Sequence, residues 1–180
     1  MNYPVMTLET IKKTVREVPD FPKPGILFKD ITTALKNPEV FNFLVESISE
    51  YYNNKGITKI VAIEARGFML GGAVAHKLNA GFVPIRKPGK LPSDTYSQSY
   101  TLEYGENTIE IHQDALFKND IILLHDDLLA TGGTVKAATE LLKKFSPKKV
   151  YINFMCELNY LNGRKLFPEY DVFSLLRYDD

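Results

Sequence analysis

The stretch IILLHDDLLATGGTV, Ile121 to Val135, decides how this chain is read. It opens on four apolar residues, Ile121 to Leu124, a run that reads as a buried strand. Two acids follow, Asp126 and Asp127. A small, flexible turn comes next, Ala130-Thr131-Gly132-Gly133-Thr134, and then a helical pattern from Val135 to Phe145. The glycines let backbone N–H groups approach an anion without Cβ interference. The helix start adds unpaired donors and the positive end of its dipole, and the threonine hydroxyls can donate to phosphate oxygens. The two carboxylates stand where they can accept from the vicinal hydroxyls of a ribose. A sugar phosphate fits this pattern, with phosphate on the turn and diol on the acids. The plainer alternative is a strand-to-helix connection with a polar turn; the apolar run, paired acids and TGGT together argue against it. Two other phosphate motifs are excluded by spacing: there is no GxxxxGK[ST], and the glycines at 67, 71 and 72 do not fit GxGxxG after a strand.

Working outward, 180 residues suit one domain with a full core, spanning residues 1–180. A composition of 44% hydrophobic and 24% charged residues is ordinary for a soluble globular chain. The 22 Lys and Arg balance the 22 Asp and Glu, so no global field recruits nucleic acid or an acidic membrane, and neither partner is expected. The N-terminus has no signal-peptide core and no segment is long and apolar enough to span a bilayer, so a cytoplasmic location is expected. Cys156 has no partner for an internal disulfide and reads as a buried structural thiol. His76, His112 and His125 do not make metal-ligand spacing.

Upstream of the central stretch, Leu8, Ile11 and Val15 recur at helical spacing, which predicts a helix near 7–17 ended by Pro19, Pro22 and Pro24. Phe21 to Thr32 is stiff and irregular yet carries Ile26, Leu27 and Phe28. It is either a loop pinned on the core or a cap over a flat apolar ligand, with the Leu27 backbone on a base edge and Phe28 on its face. Asn37-Pro38 starts a core helix whose apolar face runs from Val40 to Tyr52. Lys59–Ile63 reads as a strand, and Glu64 to Phe68 as the turn into a helix from Met69 to Leu78. Arg66 either pairs with Glu64 or meets an anion at the mouth of the sheet. Gly81–Arg86 is a third strand, followed by Arg86, Lys87 and Lys90, a cluster that is either solvated or set to meet polyphosphate. The runs 100–104 and 108–112 predict a hairpin turning at Gly105-Glu106-Asn107. Beyond the central stretch, strands are predicted at Lys148–Cys156 and Val172–Leu176, with at most a short helix over 161–167. Strands alternating with helices imply a doubly wound α/β fold around a mainly parallel sheet.

The segment Asp126 to Thr134, DDLLATGGT, resembles the phosphoribosyl pyrophosphate (PRPP) signature of the type I phosphoribosyltransferase family, in the form of its adenine-using branch. FPKPGILFKDI, from Phe21, is similar to that branch's F-P-x-P-G-x-x-F-[RK]-D-I, and Glu64-Ala65-Arg66-Gly67-Phe68 to its [ED]-S-R-G-F, with Ala65 in place of serine. The resemblance covers nearly the whole chain. It implies a hood at about 20–36, a hairpin lid at about 87–108, and transfer of the phosphoribosyl group from PRPP to adenine, giving AMP and pyrophosphate. It places Asp126 and Asp127 on the ribose, Ala130, Thr131, Gly132, Gly133 and Thr134 on the 5′-phosphate, and Arg66, Arg86, Lys87 and Lys90 on pyrophosphate, the loop cations in their own or a neighbouring subunit. Leu27, Phe28, Lys29 and Leu158 are placed at adenine, Lys29 standing where many members have arginine. Glu103 and Tyr104 match the catalytic loop, the carboxylate exchanging a proton with a purine ring nitrogen. The resemblance further implies a homodimer and Mg²⁺ held mainly by substrate and water rather than by direct protein ligands. His125 stands where the family usually has an apolar residue; it either perturbs Asp126 or faces a neighbouring helix. Two alternatives share the motifs: a regulator of the same fold that senses PRPP, and a transferase for another purine.

Overall fold

The computed structural model describes residues 6–102 and 105–179. The chain opens with α1 (Leu8–Lys12), closed at its start by a capping box between Thr7 and Thr10. This helix is shorter than the 7–17 its spacing predicts. Arg16–Val18 forms β1 instead, pairing antiparallel with β2 (Phe28–Asp30), so ladder hydrogen bonds take the residues a longer helix would have used. Then come α2 (Thr32–Leu35) and α3 (Pro38–Tyr52). The Asn37 carboxamide caps α3 by accepting from the N–H groups of Glu39 and Val40, at 2.9 and 3.2 Å.

The central sheet is built from β3 (Lys59–Ile63), β4 (Gly81–Ile85), β7 (Ile121–Leu129), β8 (Lys149–Leu158) and β9 (Asp171–Tyr178). Its order is β4-β3-β7-β8-β9 and every pairing is parallel. Between β3 and β4 lies α4 (Gly67–Lys77), and between β7 and β8 lies α5 (Gly133–Lys143). Between β4 and β7 runs a hairpin, β5 (Thr95–Leu102) and β6 (Gly105–His112). Its register differs from the expected one: Gly105, Glu106 and Asn107 pair with Leu102, Thr101 and Tyr100, so they belong to a strand and not to the turn. Alternation beginning at Thr95 gives β5 more residues to pair, which carries β6 back toward its start.

Successive residues of the buried strands feed opposite cores. Ile60 and Leu123 pack with α3 and α4, whereas Val61 and Leu124 pack with α5 and with Ile109 and Ile111 of the hairpin. The chain therefore leaves β3 toward one edge of the sheet and β7 toward the other, with helices on both faces. The switch falls between β3 and β7, the place where open α/β sheets leave a crevice at the carboxyl ends of their strands.

The fit of α4 on the sheet depends on Gly71, where a Cβ would lie 2.8 Å from the Ala62 methyl. A larger residue must push the helix outward, and with it the loop after β3. Gly71→Val should cost roughly 2–3 kcal/mol by overpacking, read as a lowered urea midpoint; an unchanged midpoint would show that this contact is not tight.

Candidate active site

Two loops meet at the switch point. Glu64-Ala65-Arg66 leaves β3 and enters α4; Ala130-Thr131-Gly132 leaves β7 and enters α5. Among the described residues no side chain caps the first turn of either helix. Their N–H groups and dipole ends are thus left for an anion.

Asp126 and Asp127 lie within β7, not beyond it, because the ladder to β8 continues to Leu129. Asp126 is half-buried and Asp127 is 4% exposed. The Asp127 N–H donates to Asp126 Oδ1 at 2.9 Å. Burial, and then the neighbouring Asp127 charge, push the Asp126 carboxyl well above the usual carboxylate range. Burial raises Asp127 too, against the pull of Arg66. Two adjacent acids, one of them almost without access to water, can accept from a diol that brings its own O–H donors. Arg66 Nε lies 2.9 Å from Asp127 Oδ2, as an ion pair without the alignment of a hydrogen bond. The same guanidinium sits 5.0 Å from the centre of the Phe28 ring. Arg66 therefore pairs with Asp127, not Glu64, and spans from the acids to the aromatic ring.

The turn after β7 is held by a segment some thirty residues later. Gly132 has φ +86°, a left-handed conformation, and a Cβ on it would meet the Gly163 carbonyl oxygen at 3.1 Å and the Phe167 ring at 3.2 Å. Gly163 is as constrained: a Cβ there would lie 2.2 Å from the Ala130 carbonyl oxygen. From the other side the Thr134 hydroxyl donates to Tyr100 Oη of the hairpin at 3.0 Å.

Arg86 stands just past β4, bridged by backbone hydrogen bonds to Glu110. Glu64 accepts from Arg86 Nε at 3.2 Å and from the Lys87 N–H at 3.0 Å, while Arg86 Nη1 donates to the Lys90 carbonyl at 3.0 Å. These contacts, led by the Lys87 N–H, hold the Glu64 carboxyl below its ordinary range. Lys87 and Lys90 are exposed.

Phe28 meets Phe21 edge-on at 5.0 Å, next to an exposed Leu27. Leu158 is buried at the carboxyl end of β8. Lys29 does not join Phe28. Strand alternation turns it to the other face of β2, where it is 2% exposed, paired with Glu17 and stacked on Tyr178. Glu103 and Tyr104 lie outside the described residues. His125 faces α4, its ring 3.4 Å from where a Cβ on Gly71 would be; Nδ1 lies 2.7 Å from Asn153 Oδ1. Burial pushes its pKa down to about 4, so it is a neutral packing group. Cys156 is buried, its thiol pushed up to about 12 by desolvation.

Glu64, Tyr100 and Gly163 complete the arrangement without having been picked out in the sequence as site residues. Glu64 had a signal, an acid one turn before a predicted anion site. Gly163 and Tyr100 had none, because their contacts join distant segments.

With fold and site defined, the class follows. The family model described as a phosphoribosyl transferase domain matches residues 31–179, and the chain belongs to that family. Its relatives narrow the class. The chain is 58% identical over 165 residues to an adenine phosphoribosyltransferase of Bacteroides thetaiotaomicron, covering 92% of this chain and 94% of that one. Among solved structures, the adenine phosphoribosyltransferase of Thermoanaerobacter pseudethanolicus superposes with a TM-score of 0.92 at 46% identity, covering 96% of this chain and all of that one. That of Giardia lamblia, complexed with 9-deazaadenine, gives 0.93 at 40% identity over 98% of this chain and 100% of its own.

Gly132→Val should abolish PRPP binding, since the side chain combines a disfavoured φ with contacts on Gly163 and Phe167. Isothermal calorimetry on a variant with native circular dichroism checks this; wild-type affinity would refute the cradle.

Proposed function

We propose that the chain transfers the 5-phosphoribosyl group of PRPP to adenine, giving AMP and pyrophosphate, a purine-salvage reaction. The observation that carries this reading is Arg66: one guanidinium reaches both the acid pair beside the phosphate turn and the ring of Phe28. A sugar-phosphate site and a site for a flat apolar ring are thereby adjacent. A PRPP-sensing regulator would need the cradle but not the aromatic ring beside it.

In this reading the Ala130–Thr134 turn and the uncapped start of α5 hold the 5′-phosphate, and Asp126 and Asp127 accept from the ribose hydroxyls. Arg66, with Arg86, Lys87 and Lys90 from the next loop, receives the leaving pyrophosphate. Phe28 and Leu158 enclose adenine while the Leu27 backbone reads its edge. The purine nitrogen attacks the sugar carbon as the bond to pyrophosphate breaks, through an oxocarbenium-like state, and Glu103 takes up the purine proton. Holding both reactants in line supplies most of the acceleration, and the hairpin, closing as a lid, keeps water from the cation.

Among the described residues no group of three or more His, Cys, Asp or Glu is set to hold a metal ion. An acid pair beside this turn would fit a Mg²⁺ ion brought in with PRPP, with Asp126 and Asp127 as the carboxylates near it. When bound it supplies charge neutralisation for the departing pyrophosphate. The enzyme works in the cytoplasm as a homodimer in this reading, and among the described residues no helix is long and apolar enough to cross a membrane.

Labelled adenine should become AMP in the presence of PRPP and Mg²⁺, with EDTA stopping the reaction and added Mg²⁺ restoring it; a full rate in EDTA would remove the metal. Glu103→Gln should lower kcat by about 100-fold or more while leaving PRPP affinity nearly unchanged. An unaltered kcat would take Glu103 out of catalysis.

A further inference from the structure

We infer that Lys29 is a positioning residue that sets the gap of the base slot by fastening the Phe28 strand to the strand beside Leu158. This rests on the adenine reading of the slot given above. β1 and β2 form a two-stranded sheet of their own, with no ladder to the central sheet among the described residues. Phe28 is therefore held over that sheet by the chain running on into α2, whose Ile31 and Ala34 are buried, and by side-chain contacts. Lys29 makes one of them. Its ammonium sits 4.4 Å from the centre of the Tyr178 ring and pairs with Glu17, its cross-strand neighbour on β1.

A lysine at 2% exposure is costly to bury without such partners. Here a half-buried ring and a carboxylate supply them. Tyr178 is the ladder neighbour of Leu158 across β8 and β9. Phe28, Lys29, Tyr178 and Leu158 thus form a continuous path, two neighbouring chain positions, one cation–ring contact and one ladder pair. It connects the two sides of the slot without entering it. The ring is held from α1 as well, with Lys12 Nζ at 5.7 Å from its centre. The Tyr178 hydroxyl is buried with no hydrogen-bond partner among the described residues, so the face of the ring, not its hydroxyl, makes the attachment.

The test is steady-state kinetics of the full chain with adenine and PRPP varied separately. Lys29→Met keeps the apolar stem and removes the charge; Glu17, 55% exposed, is left to water. The KM for adenine should rise about tenfold, the scale of losing one desolvated cation–ring contact. The KM for PRPP and the kcat at saturating adenine should stay within about twofold. Lys29→Arg keeps a cation over the ring and should restore the wild-type adenine KM. Tyr178→Leu should reproduce the Lys29→Met effect, and the double variant should be no worse than either alone, because both remove one contact. If Lys29→Met does not fold, Tyr178→Leu carries the same test. A lowered melting temperature with an unchanged adenine KM, or equal rises in both KM values, would overturn the inference. Wild-type protein without adenine-dependent turnover would overturn the adenine reading, and this inference with it; active wild-type protein with indifferent variants would overturn this inference alone.

Discussion

Two adjacent carboxylates at the carboxyl end of one buried strand, one half-buried and the other buried and paired with a guanidinium, are the constraint around which this molecule is arranged. Burial raises the proton affinity of both Asp126 and Asp127, and Arg66 together with hydrogen bonds from backbone N–H groups works against it. Such a pair is unfavourable by itself and suits a ligand that brings donors to it. It lasts in the fold because β7 is laddered to β8 beyond the acids, as far as Leu129, so strand geometry is maintained where a turn would be easier. The neighbouring helix must also come close. Gly67 and Gly71 leave room for α4 to pack over Asp126, His125 and Ala62.

The same arrangement explains how the two loops divide their charges. Glu64 and Asp127 each take a different arginine. Arg86 goes to Glu64 and Arg66 to Asp127. Arg66 is thereby directed across the crevice toward Phe28. The turn after β7 is braced by two distant segments, by Gly163 and Phe167 and by Tyr100 of the hairpin. The Thr134–Tyr100 hydrogen bond thereby joins the turn to the hairpin.

What the sequence disclosed was mostly local. Lys59–Ile63 was readable at both ends because an unbroken apolar run stops at Glu64. Asn37-Pro38 marked the start of α3 because capping needs only adjacent residues. The TGGT turn was readable for the same reason. What it concealed was set by partners far along the chain. α1 stops early because Arg16 to Val18 find their partners in β2, from Phe28 to Asp30. Asp126 and Asp127 sit inside a strand because β8, nearly thirty residues on, pairs with Asp126 and with Leu128 and Leu129 beyond Asp127. Lys29 lies beside Phe28 in sequence, yet strand alternation turns it to Tyr178 at the other end of the chain. The side on which a residue emerges depends on a register that no short motif contains.

The most direct test of the central claim is pyrophosphate release from PRPP and Mg²⁺ with adenine, hypoxanthine, guanine and xanthine supplied one at a time. The account predicts release with adenine and not with the six-oxo purines, whose donor and acceptor pattern differs at the edge offered to the Leu27 backbone. Release with a six-oxo purine in place of adenine, or PRPP binding with no release from any base, would contradict it.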